Sequence, residues 1–318
     1  MKADLAIDLG SANLKIYSKD QGLIFNEPTT VAVNLTTSKI IGLGEKAKEL
    51  IGNVPGYVAL RRPISGGVIS DFALTREMLN IILKRFKKFK KPRVLICLPN
   101  KATPLEQKVF GDVFIQAGAK SVEFIPQAIA AAIEFNLPID EAFGCLIVDL
   151  GASLTQATVI SMKKISVAYT SKTGGNDLDQ LIADYLKKSY NLALPDKTIE
   201  QLKIMLGAAN KSTQDLSAEL LGHDITTGLE RNITITQKEL AVAINPFFSE
   251  VIKVIKNTLA NCPVELAGDL ISTGGYLTGG GARLRNLPEL LKGNLNLDFH
   301  VPKDPLIATV KGAGKLLD

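Results

Sequence analysis

Apolar and polar positions along the chain mark out an α/β protein. Ala3 to Leu9 is an apolar run broken only by Asp4 and Asp8, and it stops at Gly10-Ser11-Ala12. A short run of this kind bounded by a turn reads as a buried strand. Leu14 to Tyr17 follows at hairpin distance, and strands are expected at 22–26, 30–34 and 40–43 before a helix at 44–51. From Arg76 to Lys87 the apolar positions Met78, Leu79, Ile81, Ile82, Leu83 and Phe86 recur with helical spacing, so a helix should lie there on a sheet. Arg93 to Leu98 is a fully apolar strand, and a helix over 104–118 stops at Gly118. A short strand, Val122 to Ile125, then leads into an alanine-rich helix at 127–136.

The opening theme returns in the second half. Cys145-Leu-Ile-Val-Asp149-Leu-Gly151 repeats Leu5-Ala-Ile-Asp8-Leu-Gly10, again followed by strands, at 155–160 and 164–170. Two strands ending in Asp-Leu-Gly, about 140 residues apart, imply a duplicated α/β domain with a cleft between the copies. Helices are expected at 198–207, 214–220 and 237–260, and 274–279 leads into a glycine-rich turn.

Composition narrows the function. The chain has 318 residues, about two domains' worth, with 46% apolar and 22% charged residues. The net charge of +5 is spread thinly and is no nucleic-acid footprint. Cys97, Cys145 and Cys262 sit in apolar runs without zinc-ligand spacing, and His223 and His300 are isolated, so no protein-held transition metal is expected. Neither a leader after Met1 nor an apolar stretch of spanning length is evident, which points to a cytoplasmic protein.

The candidate chemistry lies at the two repeats. Gly10, Ser11 and Ala12, and Gly151, Ala152 and Ser153, are small enough for backbone N–H groups to approach phosphates from both sides. Asp8 and Asp149 would repel phosphates, so their natural part is to hold the waters of a Mg²⁺ ion. Lys15 is placed to reach a β-phosphate. Gly279-Gly280-Gly281, flanked by Leu277, Leu284 and Leu287, fits backbone lying flat against an adenine ring.

Asp8-Leu-Gly-Ser-Ala-Asn13, Val148-Asp-Leu-Gly151 and Leu277-Thr-Gly-Gly-Gly-Ala282 resemble the two phosphate motifs and the adenosine motif of the actin/Hsp70/sugar-kinase superfamily. Asn26-Glu-Pro-Thr29, Arg62 to Phe72, Gln116-Ala-Gly-Ala119 and Asp304-Pro-Leu306 resemble the MreB branch, nearly end to end. The resemblance implies an actin-like fold of two duplicated α/β domains, each with a small subdomain, and a nucleotide cleft between them. Domain I would be 1–134 plus 301–318, with a small subdomain at about 27–65; domain II would be 135–300, with one at about 185–240. It implies ATP or ADP with Mg²⁺ as the cofactors. Ser11, Ala12 and Asn13 would face the β-phosphate, and Gly151 to Thr155 the γ-phosphate. Gly174, Gly175 and Asp177 would lie near the ribose, Glu200 and Lys203 at the adenosine, and Gly280 and Gly281 behind the adenine. Ala130 to Ile133 and Gly312 to Gly314 would belong to the helices that hinge the halves. The partners implied are further copies of the chain, stacked head to tail and paired antiparallel, and the inner face of the membrane.

The departures from the family pattern bear on catalysis. Gln127 stands where the family has a glutamate facing the γ-phosphate, and Ala128 replaces the following proline. A glutamate can orient and partly deprotonate water, whereas glutamine only orients it, so slow hydrolysis is expected with Gln127, Asp149, Asp8 and Thr155 as catalytic residues. The family's Gly-Gly-Gly-Thr-Thr-Glu is here Gly151-Ala-Ser-Leu-Thr-Gln156, and Met205 replaces a ribose-contacting glutamate. Lys84-Arg-Phe-Lys-Lys-Phe-Lys-Lys-Pro-Arg93 occupies a membrane-loop position and could lie on anionic lipid. A nucleotide-dependent scaffold without useful turnover and a small-molecule kinase are the alternative functions. The divergent positions, the many lysines and the absence of Trp resemble paralogues from wall-less, helical, swimming bacteria, where motility would replace wall guidance.

Overall fold

The structure, a computed structural model, describes residues 3–50, 56–86, 91–209 and 216–317. The first half opens with β1 (Leu5–Leu9), β2 (Asn13–Ser18), β3 (Gly22–Pro28), β4 (Val31–Asn34), β5 (Ile40–Leu43), α1 (Glu45–Glu49) and β6 (Val58–Arg61). It continues through β7 (Ile64–Ser65), β8 (Val68–Ile69), α2 (Phe72–Arg85), β9 (Arg93–Leu98), α3 (Pro104–Ala117), β10 (Ser121–Pro126) and α4 (Gln127–Glu134). The second half has β11 (Cys145–Leu150), β12 (Thr155–Ser161), β13 (Lys164–Ser171), α5 (Gly175–Tyr190), β14 (Leu192–Ala193), α6 (Asp196–Leu206), β15 (Ser217–Asp224) and β16 (Glu230–Thr236). It ends with α7 (Gln237–Ala243), α8 (Asn245–Ala260), α9 (Val264–Thr273), β17 (Gly275–Thr278), a 3₁₀ turn at Gly280–Arg283, α10 (Leu287–Leu295), β18 (Phe299–His300) and α11 (Ala308–Gly314).

The duplication is complete at the level of strand order. One five-stranded sheet runs β10-β9-β1-β2-β3 and the other β18-β17-β11-β12-β13. In each, the Asp-Leu-Gly strand pairs antiparallel with the strand after it and parallel with the strand on its other side. Three-stranded sheets, β5-β4-β6 and β14-β15-β16, form a smaller unit in each half.

Residue size along β1 explains where its aspartate points. Leu5, Ile7 and Leu9 enter the core shared with α2 and α3, while Ala6 joins Ala3, Leu95, Cys97, Ala130 and Ala313 on the other face. Asp8 follows the Ala6 face, since side chains alternate across a strand. β11 does the same: Leu146, Val148 and Leu150 face the larger core, Cys145 and Ile147 face α4, and Asp149 shares their side.

The halves exchange helices. α4 leaves the first sheet and packs its Ala128, Ala131 and Ala132 on β11 and β12 of the second. α11 leaves the second sheet and covers β1 and β2 of the first. The alanine content of α4 follows from being pinched between a sheet and a helix. Gly312 is needed at that crossing, because a Cβ there would stand 1.7 Å from the Ala130 carbonyl oxygen. Lys311 and Lys315 close the helix pair by bonding Glu134 at 3.2 and 3.0 Å.

Two expected elements are corrected. The span 214–220 is not helical where it is described: Ser217–Asp224 is a strand that pairs with β16. Its inward residues Ala218, Leu220 and Gly222 recur every second position, the period of a strand. The expected helix at 237–260 is two helices, parted at Ile244, because Pro246 opens the second one and has no N–H to continue the first. Helix α5, buried through Leu178, Ile182 and Leu186, was not anticipated. Phe86 packs inward, edge-on to Phe25 at 6.3 Å, while Phe89 of the basic loop lies outside the described residues.

Gly312→Ala is expected to force α4 and α11 apart and to cost about 1–3 kcal/mol, as overpacking does. A lowered thermal midpoint, against an unchanged or raised one for exposed Gly293→Ala in α10, would be the readout.

Candidate functional site

Both repeat hairpins are closed by the same bond. Gly10 N–H donates to the Asn13 carbonyl at 3.0 Å, and Gly151 N–H to the Leu154 carbonyl at 2.9 Å. Among the described residues no backbone bond takes the N–H groups of Ser11, Ala12, Ala152 or Ser153. Four donors on two facing tight loops suit a polyphosphate. The first loop is steadied by Thr29, whose hydroxyl donates to the Gly10 carbonyl at 2.8 Å, and Asn13 bonds Asn26 at 3.1 Å. The second is braced by the first turn of α5: Gly175 and Asn176 N–H donate to the Gly151 and Ala152 carbonyls, and Asn176 Nδ2 to Ser153 Oγ. That contact explains Gly174, where a Cβ would meet Ala152 at 2.5 Å. It also aims a helix N-terminus, which favours anions, at the same loop. Thr155 is buried, and its hydroxyl donates to the Thr173 carbonyl at 2.8 Å.

The strand registers place the charges. Asp8 lies opposite Lys15 and Asp149 opposite Gln156, so the two pairs occupy equivalent positions of the duplicated units. Lys15 Nζ donates to Asp8 Oδ2 at 2.8 Å, both side chains being about nine-tenths buried. Burial works against the Lys15 ammonium, but Asp8, with Asp149 behind it, holds its pKa above the usual lysine value. Burial and the Asp8 charge push Asp149 up to about 6, against the opposing pull of Lys15 and Gln156. The buried Asp8 and the partly buried Asp149, with one ammonium, leave negative charge uncompensated. That balance fits a divalent cation. Asp8 and Asp149 supply two carboxylates, one of them already paired with Lys15, a donor set that suits an ion retaining most of its waters.

Gln127, first residue of α4, is brought into this cluster. Its Nε2 donates to Asp8 Oδ1 at 3.2 Å, and its Oε1 accepts from Gln156 Nε2 at 3.1 Å. Gln156 Oε1 in turn accepts the Asn100 N–H at 3.0 Å. Sequence reasoning had noted Gln156 only as a lost carboxylate and had missed Asn100, which follows an ordinary Leu98-Pro99 strand end and carries no motif.

The residues on the expected nucleoside side are more dispersed. Lys203 Nζ bonds Asp179 and the Gly175 carbonyl at 2.9 and 3.3 Å, which places it beside the second loop. Asp179 was also missed; burial raises its pKa even next to Lys203. Asp177 caps α5 by accepting the Gly174 N–H at 2.8 Å. Glu200 is half-exposed and reaches Lys48 of α1 at 3.6 Å, linking the two small units. Met205 is exposed. Gly279 has φ +82°, and a Cβ there would meet the Leu150 carbonyl at 2.5 Å and Asp149 Oδ1 at 2.7 Å, while one on Gly281 would meet Leu150 at 2.7 Å. Packing against β11 therefore already demands two of the three glycines, whereas a Cβ on Gly280 would meet only the Leu306 side chain, at 3.4 Å.

A cleft with paired Asp-Leu-Gly hairpins on duplicated sheets matches known proteins. The model of the MreB/Mbl protein family covers residues 2–318. The chain belongs to the MreB/Mbl family. The cell shape-determining protein MreB of Escherichia coli K12 is 35% identical over 99% of this chain and 93% of its own length. The cell shape-determining protein Mbl of Bacillus subtilis is 34% identical over 99% and 96%. Among solved structures, MreB5 of Spiroplasma citri bound to ADP superposes with a TM-score of 0.94 at 31% identity, covering 98% of this chain and 95% of that one. The MamK double helical filament, at 18% identity and a TM-score of 0.81, shares the fold. The fold is actin-like.

Lys15→Met is expected to leave Asp8 buried and unpaired beside Asp149, at a cost of about 3–5 kcal/mol. Urea unfolding should show a lowered midpoint, with part of the loss recovered when Asp8→Asn is added.

Proposed function

We propose that this protein binds Mg-ATP in the cleft, hydrolyses it slowly and polymerises into cytoskeletal filaments that act on cell shape or motility at the cytoplasmic membrane. The observation that carries the reading is the pair of equivalent hairpins whose free N–H groups flank the Asp8–Lys15–Asp149 charge cluster. The relative in Spiroplasma citri was solved with ADP and also with AMPPNP, which supports a nucleotide in the same cleft. Ser11, Ala12, Asn13, Lys15 and the Gly151 to Thr155 loop would hold the phosphates, with Gly174, Gly175, Asp177, Glu200, Lys203 and Gly279 to Gly281 around the nucleoside. Asp8 and Asp149 would hold the waters of Mg²⁺, an ion that neutralises developing phosphate charge. The division into domains at 1–134 plus 301–318 and 135–300 agrees with one large sheet in each half.

Filament formation rests on family membership. A head-to-tail contact that does not close generates an open filament, and exposed apolar side chains such as Val264 and Ile271 on α9 supply surface for such a contact. Membrane association would be peripheral, through the basic Lys84 to Arg93 segment; no described helix is long and apolar enough to cross a membrane. A nucleotide-dependent scaffold without turnover is the second reading. It is favoured by Gln127, whose amide already has both ends engaged.

Phosphate release and sedimentation, measured together with Mg-ATP, with AMPPNP and without nucleotide, test the proposal. Nucleotide-dependent pelleting is expected with slow release, and release should fall at least about 10-fold in Gln127→Ala. EDTA should abolish release. Pelleting with no release in any condition would establish the scaffold, and tight binding without pelleting would remove the filament.

A further inference from the structure

Asn100, two residues beyond β9, belongs to the first half but reaches into the second. Its N–H donates to Gln156 Oε1 at 3.0 Å and its Nδ2 to Thr158 Oγ1 at 2.9 Å, both on β12. Its Oδ1 accepts the Ala128 N–H at 2.9 Å. That last bond is a helix cap supplied from outside. The N-cap position of α4 is Pro126, which makes no side-chain cap bond, and the first N–H groups of any helix lack partners of their own. Asn100 thus pins the turn on which Gln127 stands.

The chain of bonds through Gln156 and Gln127 can run in one direction only. A backbone N–H donates and never accepts, so Gln156 must turn its oxygen to Asn100 and its amino group to Gln127. Gln127 must then show its oxygen to Gln156 and its amino group to Asp8, whose other oxygen takes Lys15. Flipping either amide would set oxygen against oxygen or N–H against N–H. The usual ambiguity of a glutamine side chain is removed by the fixed donor at one end and the ion-paired carboxylate at the other.

We propose that Asn100 and Gln156 are positioning residues for Gln127. Together they fix the start of α4 and the sense of the amide relay, so that the remaining lone pair of Gln127 Oε1 is the one presented to attacking water. Asn100 and Gln127 come from the first half and Gln156 and Thr158 from the second, so the water-orienting group is assembled by closure of the halves. The inference rests on the hydrolytic reading above and adds to it which groups, away from the nucleotide loops, set its rate.

A double-mutant cycle on steady-state ATP hydrolysis by the full chain tests this. Gln156→Met, close in shape but unable to donate or accept as an amide does, should lower kcat about 10-fold with KM for ATP changed less than about 2-fold. In a Gln127→Ala background the same substitution should change kcat by less than about 2-fold, because its route of action is gone. Asn100→Leu should behave like Gln156→Met, whereas Asn100→Asp, which keeps an oxygen for the Ala128 N–H, should recover most of the rate. Independent, multiplying losses in the cycle, or a KM that rises as far as kcat falls, would overturn the relay. If Asn100→Leu does not fold, the Gln127 and Gln156 cycle decides alone. A parent protein that binds ATP yet releases no phosphate sinks the hydrolytic reading and the relay with it; release in the parent with an additive cycle sinks the relay alone.

Discussion

Two carboxylates of the same sign, the buried Asp8 and the partly buried Asp149, lie close enough that burial and the Asp8 charge together push the Asp149 carboxyl up. Like charges in low dielectric must be separated, protonated or compensated. This fold compensates them unequally: Asp8 has Lys15 across the hairpin, while Asp149 has only the neutral Gln156 at the equivalent register. The duplication therefore yields two similar frames with one cation between them, Lys15 on the first hairpin and none at the equivalent position of the second.

The crossing of α4 and α11 holds the two halves in contact. Each sheet is covered by the helix that leaves the other, and their crossing is so tight that a methyl group on Gly312 has no room. Small residues on α4 serve two neighbours at once, the second sheet and α11. A crossing held by small residues and by Glu134 with its two lysines keeps Asp8 and Asp149 opposed.

Much of this was legible from the chain. The strand-hairpin themes at Asp8 and Asp149 announced the duplication, and Gly118 ended its helix in the left-handed conformation expected of it. What was not legible had physical reasons. The half-buried strand Ser217–Asp224 carries two adjacent leucines, Leu220 and Leu221, of which one faces in and one out, and the pair blurred its period. Pro246 was absorbed into a helical pattern that it in fact divides. The packing of Gly279 and Gly281 against Leu150 was not legible either, because it depends on a strand far back in the chain. Asn100 and Asp179 could not be found from spacing, because their partners come from elements far along the chain.

The neutral pair at 127 and 156 follows from the same electrostatics. With Asp8 able only to accept, a glutamine at 127 has to spend its amino group there and keep its oxygen for residue 156. Residue 156 must then be a donor, and it must also accept from the Asn100 N–H. Of the side chains that reach so far, glutamine does both. A glutamate at 156 alone would set a carboxylate against the Gln127 oxygen, and one at 127 alone would set it against Asp8. The amides at 127 and 156 are therefore matched to each other and to Asp8. With two neutral amides there, the site keeps an organised contact across the cleft and adds no negative charge beside Asp8.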